Sequence, residues 1–472
     1  MSSSSPFRYR SLAETLAAAL RVGQYPSGGR LPSVRQLCAA HGVSLATVTH
    51  ALHELEDAGL IEARPRRGFF VSADVALPAL AAAEPVEALA LAGRRRRLMA
   101  LAASQADCLS LGHLGLAAEL LPLPALKRLM RQRLQGDLAA LSTGSVFGGE
   151  ALRGQLARRG ARMGCRFDAE DIVVTQGEGE SLQLCLSLLS APGDRVAIGS
   201  PAPLRALELI TSLGRRAVEI PADERGGLSL PALAAALEAQ PIAVCIAEPG
   251  FDRSGGAAPD DAAKRALLAL LNRHELPLIE CELLGELYRG TRRPAPLKAF
   301  DTEDRVLYCG SLACVTGVGF SIGYVVSARH RLQLRAARAV HGELIPGLQE
   351  RVLADLLADE AGFEAHLRRL RRRLARQLEE YRAAVLAAFP LGTRVTAGVS
   401  GHALWLELPQ GLDACLLLER ARRRGYNFVP GAVFGLGRQF DHCLRLTAGH
   451  PLDAPRAEGL RVLGELARQL LG

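Results

Sequence analysis

The side chains best suited by type and spacing to do chemistry lie in one short stretch of this 472-residue chain, Leu31 to Val71. Val48, Leu52 and Leu55 recur at i, i+4, i+7, the period of one buried helix face. That spacing leaves Leu45, Ala46, Thr47, Thr49, His50 and His53 on or near the outward face, just after Ser44. Short donors and acceptors on one face of a helix are what reading base edges in a groove requires. Further on, Arg64, Arg66 and Arg67 cluster before Gly68, between two short apolar runs. Guanidinium groups at a hairpin tip suit phosphate oxygens or a narrow groove.

The elements needed to position those groups are legible around them. Ser33 after Pro32 is an N-cap, with Leu37 and Ala40 expected on the buried face of the helix it starts. Gly42 permits a tight turn, Val43 plugs the space between two helices, and Ser44 caps the second. Gly59-Leu60-Ile61 ends that helix and opens a hairpin that returns through Phe69-Phe70-Val71. This stretch resembles the winged helix-turn-helix of the GntR family, and the turn Ser27 to Ser33 fits the family's entry into its second helix. The resemblance implies DNA contacts from Arg35, Ser44, Thr47, Thr49 and His50, with Arg64, Arg66, Arg67 and Gly68 forming a wing on the backbone. The domain is expected over 8–72, behind a disordered leader at 1–7.

A domain of that kind takes about 70 residues, so roughly 400 remain for a large α/β body. The net charge of +8 suits a nucleic-acid partner. Ten cysteines without CxxC or Cys/His ligand spacing point away from a disulfide framework or a zinc motif, and no metal site is expected. With no signal peptide and no long apolar run, a cytoplasmic location is expected. Residues 73–106, rich in Ala and Pro and holding Arg94 to Arg97, read as a linker with some helix. The arginine run there reads as a solvated face that can touch DNA phosphates.

From about residue 108 short apolar strands alternate with amphipathic helices: 171–177, 195–201, 242–249, 276–282 and 305–311 are the strand candidates. That order predicts an α/β domain on a mostly parallel sheet. A basic helical pattern over 363–389 leads into an α+β tail with strands within 402–409 and 442–449. These segments, in this order, resemble fold-type I aminotransferases. A GntR domain fused to such a domain resembles the MocR regulators, with a large domain expected over 107–345 and a C-terminal subdomain over 346–472. The resemblance implies a head-to-tail homodimer acting on a double-stranded operator.

Relatives of that type hold pyridoxal phosphate through a lysine Schiff base. Only three of the 57 basic residues are lysine, Lys127, Lys264 and Lys298, and none falls in the expected motif. On the resemblance Cys314 takes the lysine's position, Ser321 the phosphate-binding arginine's, Cys281 the ring aspartate's, Leu283 a tyrosine's and Pro203 the stacking tyrosine's, whereas Ser311 is retained. The implied chain is no enzyme and holds no cofactor: covalent attachment lacks its amine, and noncovalent binding stays open. The alternative is a pyridoxal-dependent aminotransferase, or a regulator that senses the cofactor without the lysine. Arg445 matches the arginine that grips a carboxylate in the family, for an effector or as a structural remnant. Cys281 and Cys314, with Cys309 nearby and Glu280 or Glu282 as further ligand, suggest a second alternative, a thiol- or metal-responsive pocket. Buried space-filling is the competing reading of the same thiols.

Overall fold

The structure, a computed structural model, describes the chain except residues 1–7, 22–28, 66, 73–85, 105–107, 137, 204, 224–226, 249–258, 399 and 472. It divides into two compact units, 1–85 and 86–472. The leader and residues 73–85 of the expected linker lie outside the described residues.

In the first unit, helices α1 (Arg8–Arg21), α2 (Val34–His41) and α3 (Leu45–Asp57) precede a hairpin of β1 (Ile61–Arg64) and β2 (Gly68–Val71). Leu16, Leu37, Val48, Leu52 and Ile61 close a single core. Ser33 and Gln36 form a reciprocal capping box on α2, and Gly42 ends that helix at φ +62°, a left-handed conformation glycine adopts without penalty. Ala40 is exposed, not buried as its spacing suggested, because α2 ends one residue later, leaving the inner face to Leu37.

The second unit begins with α4 (Val86–Ala103), which corrects the linker reading. Consecutive arginines point around a helix, so they cannot share one solvated face. Arg94 pairs with Asp441 at 2.7 Å, buried Arg95 with Glu208 at 2.6 Å, and Arg96 with the same carboxylate at 3.0 Å. Leu98 enters the core.

The body of this unit is a seven-stranded sheet. Its strands are β3 (Ile172–Thr175), β4 (Arg195–Ser200), β5 (Arg216–Pro221), β6 (Val244–Ala247), β7 (Leu278–Glu282), β8 (Val306–Ser311) and β9 (Gly323–Val326). The spatial order is β3-β9-β8-β7-β6-β4-β5, with β9 antiparallel to both neighbours and the other pairs parallel. All five strand candidates fall on observed strands; β5 and β9 add the edge and the antiparallel insertion. A parallel strand covered on both faces is buried along its whole length, as β6 is at every position.

Helix α5 (Glu178–Leu189) follows β3 and packs across β7, β8 and β9; α6 (Ala206–Ser212) follows β4. The basic pattern is one 29-residue helix, α7 (Glu360–Ala388). Beyond it, β10 (Arg394–Thr396), β11 (Ala403–Glu407), β12 (Val429–Pro430) and β13 (Cys443–Thr447) form a sheet ordered β10-β11-β13-β12. Residues 426–427 pair in parallel with 109–110, and α4 packs on this same end. The tail is therefore completed by the segment that opens the unit, and the boundary expected at 345/346 divides no separate bodies. Strand pairing between residues over 300 positions apart is invisible to a reading of local pattern.

Candidate DNA interface and ligand pocket

In the first unit, Ser44 caps α3: its Oγ accepts from the Thr47 amide at 3.3 Å and lies 2.8 Å from Thr47 Oγ1. Thr49 Oγ1 donates back to the Leu45 carbonyl at 2.9 Å. Val48, Ala51, Leu52 and Leu55 are buried; Ser44, Leu45, Ala46, His50 and His53 are exposed. The polar face is thus presented by a helix fixed from behind. His50 packs on Tyr9 of α1, ring centroids 4.3 Å apart. Arg35 is exposed on α2, and Arg30, Ser33 and Gln36 line a shallow recess at that helix's start.

At the wing, Arg64 is held by Glu62 at 2.7 Å and lies 4.5 Å from the Phe70 ring centroid. Arg67 and Gly68 are exposed at the turn, Gly68 at φ +101°, and Arg66 lies outside the described residues. Arg64 therefore shares its charge with a neighbouring acid, whereas Arg67 has no ion pair among the described residues.

In the second unit, the expected pocket lies at the carboxyl ends of β6, β7 and β8, where parallel sheets bind ligands. Gly177, at φ +142°, leads into α5, and a side chain on Gly323 of β9 would strike its carbonyl carbon at 2.4 Å. Glycine at 323 lets β9 approach this turn. Ser321 lies beside it, its Oγ 3.5 Å from where a Cβ on Gly177 would sit. Ser311 Oγ donates to the Ile322 carbonyl at 3.1 Å and accepts from the Ala313 amide at 3.2 Å. Pro203 precedes α6, its carbonyl accepting from the Ala206 amide at 3.0 Å; Leu283 is half-buried just past β7.

Cys281 and Cys309 are registered neighbours on β7 and β8, and Cys309 Sγ lies 3.6 Å from Cys185 Sγ on α5. Cys314 follows β8 in a short helical turn. Burial pushes the Cys281 thiol well up and holds Cys314 at about 12, while at Cys309 the hydrogen bond to Cys185, and after it burial, push the thiol well up. The carboxylates of Glu178 and Glu248 add to the shift at both Cys281 and Cys314, so these thiols share one surrounding. Raised thiols are poor nucleophiles and poor metal ligands.

The expectation that Glu280 or Glu282 joins them is corrected by the pleat, since alternate residues of β7 face opposite sides of the sheet. Glu280 instead accepts the amides of Leu297 and Lys298 at 2.6 and 2.8 Å, and Glu282 pairs with Arg293 at 2.8 Å and bonds the Tyr308 hydroxyl. Among the described residues no group of three or more His, Cys, Asp or Glu is arranged to hold a metal ion.

Sequence reasoning missed Glu178, the first residue of α5. Burial raises its carboxyl, with Arg205 at the start of α6 opposing the shift. The signal was present in the turn Gln176-Gly177-Glu178-Gly179, where an acid opens a helix expected to face an anion. The lysines lie elsewhere. Lys127 is exposed. Lys264 is buried and donates to the Ala295 carbonyl at 2.8 Å; Lys298 is held by Asp301 and Asp304. Arg445 on β13 is buried, donates to the Gly112 carbonyl at 3.0 Å and stands 5.4 Å from the Phe434 ring centroid. Burial, with Arg445 adding to it, lowers His113 and takes His402 down to about 4.

Residues 8–71 match the family described as "Bacterial regulatory proteins, gntR family". Two curated proteins of Escherichia coli match end to end. The HTH-type transcriptional regulator YjiR is 31% identical over 97% of this chain and 98% of its own length; YdcR is 31% identical over 98% and 100%. The chain belongs to the GntR-family transcriptional regulators of the MocR type. This regulator therefore joins a DNA-binding domain to an aminotransferase-like fold, and both of these full-length relatives are named as transcriptional regulators. The second unit is similar to the α-aminoadipate aminotransferase LysN of Thermus thermophilus, at TM-score 0.72 and 27% identity over 81% of this chain and 97% of that one. LysN was solved with N-(5'-phosphopyridoxyl)-L-leucine. That finding overturns the expectation of a chain with no cofactor: the substitutions at single positions were read as the loss of a group that the fold as a whole is built around. Among the described residues, no helix is long and apolar enough to cross a membrane.

Proposed function

We propose that this regulator reads DNA through the outer face of α3 together with Arg35 and the wing, and that its second unit takes pyridoxal phosphate without a covalent bond. The capped, outward polar face of α3 carries the first part. Ser44, Thr47, Thr49 and His50 meet base edges and phosphates in a major groove, and Arg35, Arg64, Arg66, Arg67 and the Gly68 backbone hold the duplex. The test is binding to a duplex selected from a random pool. Arg35→Ala with Thr47→Ala should abolish selection of the sequence while leaving the fold intact.

For the pocket, Cys314 takes the place of the attaching lysine, while Lys264 and Lys298 are engaged by the Ala295 carbonyl and Asp301, and Lys127 is exposed. Pyridoxal phosphate, when bound, supplies an electrophilic carbonyl and a ring that draws electron density from a bound amine. The chain's part would be to hold it: the first amides of α5, with the hydroxyls of Ser311 and Ser321, would bind the phosphate, and Glu178, whose carboxyl burial raises, would stand beside them. Arg445 receives the carboxylate of an effector. A thiolate cannot replace a primary amine, so turnover of amino acids is not expected. The protein acts as a cytoplasmic head-to-tail homodimer, bringing two winged domains to paired half-sites. A shift in absorbance on adding pyridoxal phosphate, reversed by dialysis and not fixed by borohydride, is the expected result; a borohydride-stable adduct overturns it.

A further inference from the structure

Helix α7 buries Phe363, Leu367, Leu370, Leu374 and Leu378 on one side. Its opposite side exposes Arg368, Arg369, Arg372, Arg373 and Arg376 within nine residues, a ridge about 12 Å long at 1.5 Å per residue. The helix's acids neutralise only the last member of that ridge. Glu364 pairs with Arg159 and lies against Arg371, and Glu379 and Glu380 stand one turn further on, where Glu380 takes Arg376. Arg368, Arg369, Arg372 and Arg373 have no ion pair among the described residues. Arg369 also adds to burial in lowering the neighbouring His366, as an unneutralised charge does.

Arginines at i, i+3 and i, i+4 repel one another. Nothing within the described fold offsets that repulsion. A polyanion would, and a guanidinium row is matched to a row of phosphates. A polyanion is at hand. The first unit of this chain binds DNA, and covalent linkage raises the local concentration of that duplex around the second unit.

We propose that the outer face of α7 is a second DNA-contacting surface, at which Arg368, Arg369, Arg372 and Arg373 meet the phosphate backbone of duplex beyond the segment held by the winged unit. It rests on the reading of the first unit as DNA-binding but on none of that unit's residues. It adds affinity and salt dependence and no base specificity.

The test uses the full-length chain and a mixed-sequence duplex of roughly 60 base pairs, titrated from about 50 to about 300 mM KCl. Replacing the four arginines by glutamine should make the plot of log affinity against log salt shallower by about 3 to 4, near 0.9 for each phosphate no longer neutralised. Replacing them by lysine should keep the slope, which a packing role would not predict. Far-UV dichroism should be unchanged in both variants and the melting temperature lowered in neither, since the substituted side chains are exposed and the glutamines relieve repulsion. Equal slopes for the wild type and a folded glutamine variant overturn the proposal and leave the ridge to an acidic protein. A wild-type chain that binds no duplex overturns the DNA-binding reading along with it.

Discussion

The outer face of α3 and the carboxyl ends of β7 and β8, the two places proposed to meet a ligand, differ in the side chains they offer one. On α3, polar groups stay exposed, the helix is capped, and the apolar stripe beneath is complete. At the ends of β7 and β8 stand Cys281, Leu283 and Cys314, both thiols raised by burial and by nearby acids, among them the half-buried Glu178. A recognition surface works through several side chains of modest effect, whereas covalent cofactor chemistry turns on one amine. One substitution can therefore silence the second site without unfolding the unit that carries it.

The sharpest way to break this contrast is Cys314→Lys. It should convert a protein with no borohydride-stable pyridoxal adduct into one that carries it at near one equivalent, read by mass spectrometry. A lysine there that remains unlabelled would mean that Cys314 is not the position the chemistry turned on.

A smaller effect concerns Glu280 beneath the pocket. Burial, with the charge of Glu282 second, lifts its carboxyl to about 8. In the unfolded chain it titrates near the ordinary value of about 4.3. The folded state thus holds a proton that the unfolded state has lost, and its stability should fall by a few kcal/mol as pH rises from about 5 to about 8. Urea unfolding of wild type and Glu280→Gln across that window checks it: the variant should show the flatter profile.

On the α3 side, Thr47→Ala or Arg35→Ala should each cost about 1–3 kcal/mol of binding to a selected duplex, roughly ten- to hundredfold in Kd. Neither should alter pyridoxal phosphate binding. The smallest effect tests the frame alone. Ser33→Ala removes the capping box of α2 and should lower the stability of the first unit by about 1 kcal/mol, measured by thermal unfolding.

Much of the first unit was legible because its signals are local: Ser33, Gly42 and Ser44 act within a few residues of where they stand. The strands of the sheet were legible for the same reason, each being a short apolar run. Legibility ended where partners lie far apart in the chain. Arg95 reads as one of four solvated arginines until Glu208 is seen beside it, and Glu280 reads as a companion of Cys281 until the pleat sends it to the other face. The cofactor expectation failed in another way, since side-chain losses were weighed without the backbone cradle that outlasts them.

By itself the sequence determined the winged domain, its polar face, the α/β pattern and the scarcity of lysine, because caps, periodicity and residue chemistry are properties of neighbouring positions. Tertiary structure alone decided that α4 belongs to the second unit, that Glu178 shares the surroundings of Cys281 and Cys314, and that Arg368, Arg369, Arg372 and Arg373 of α7 have no ion pair among the described residues. Each of these depends on which distant segments pack together, and long-range packing leaves no periodic mark in the chain.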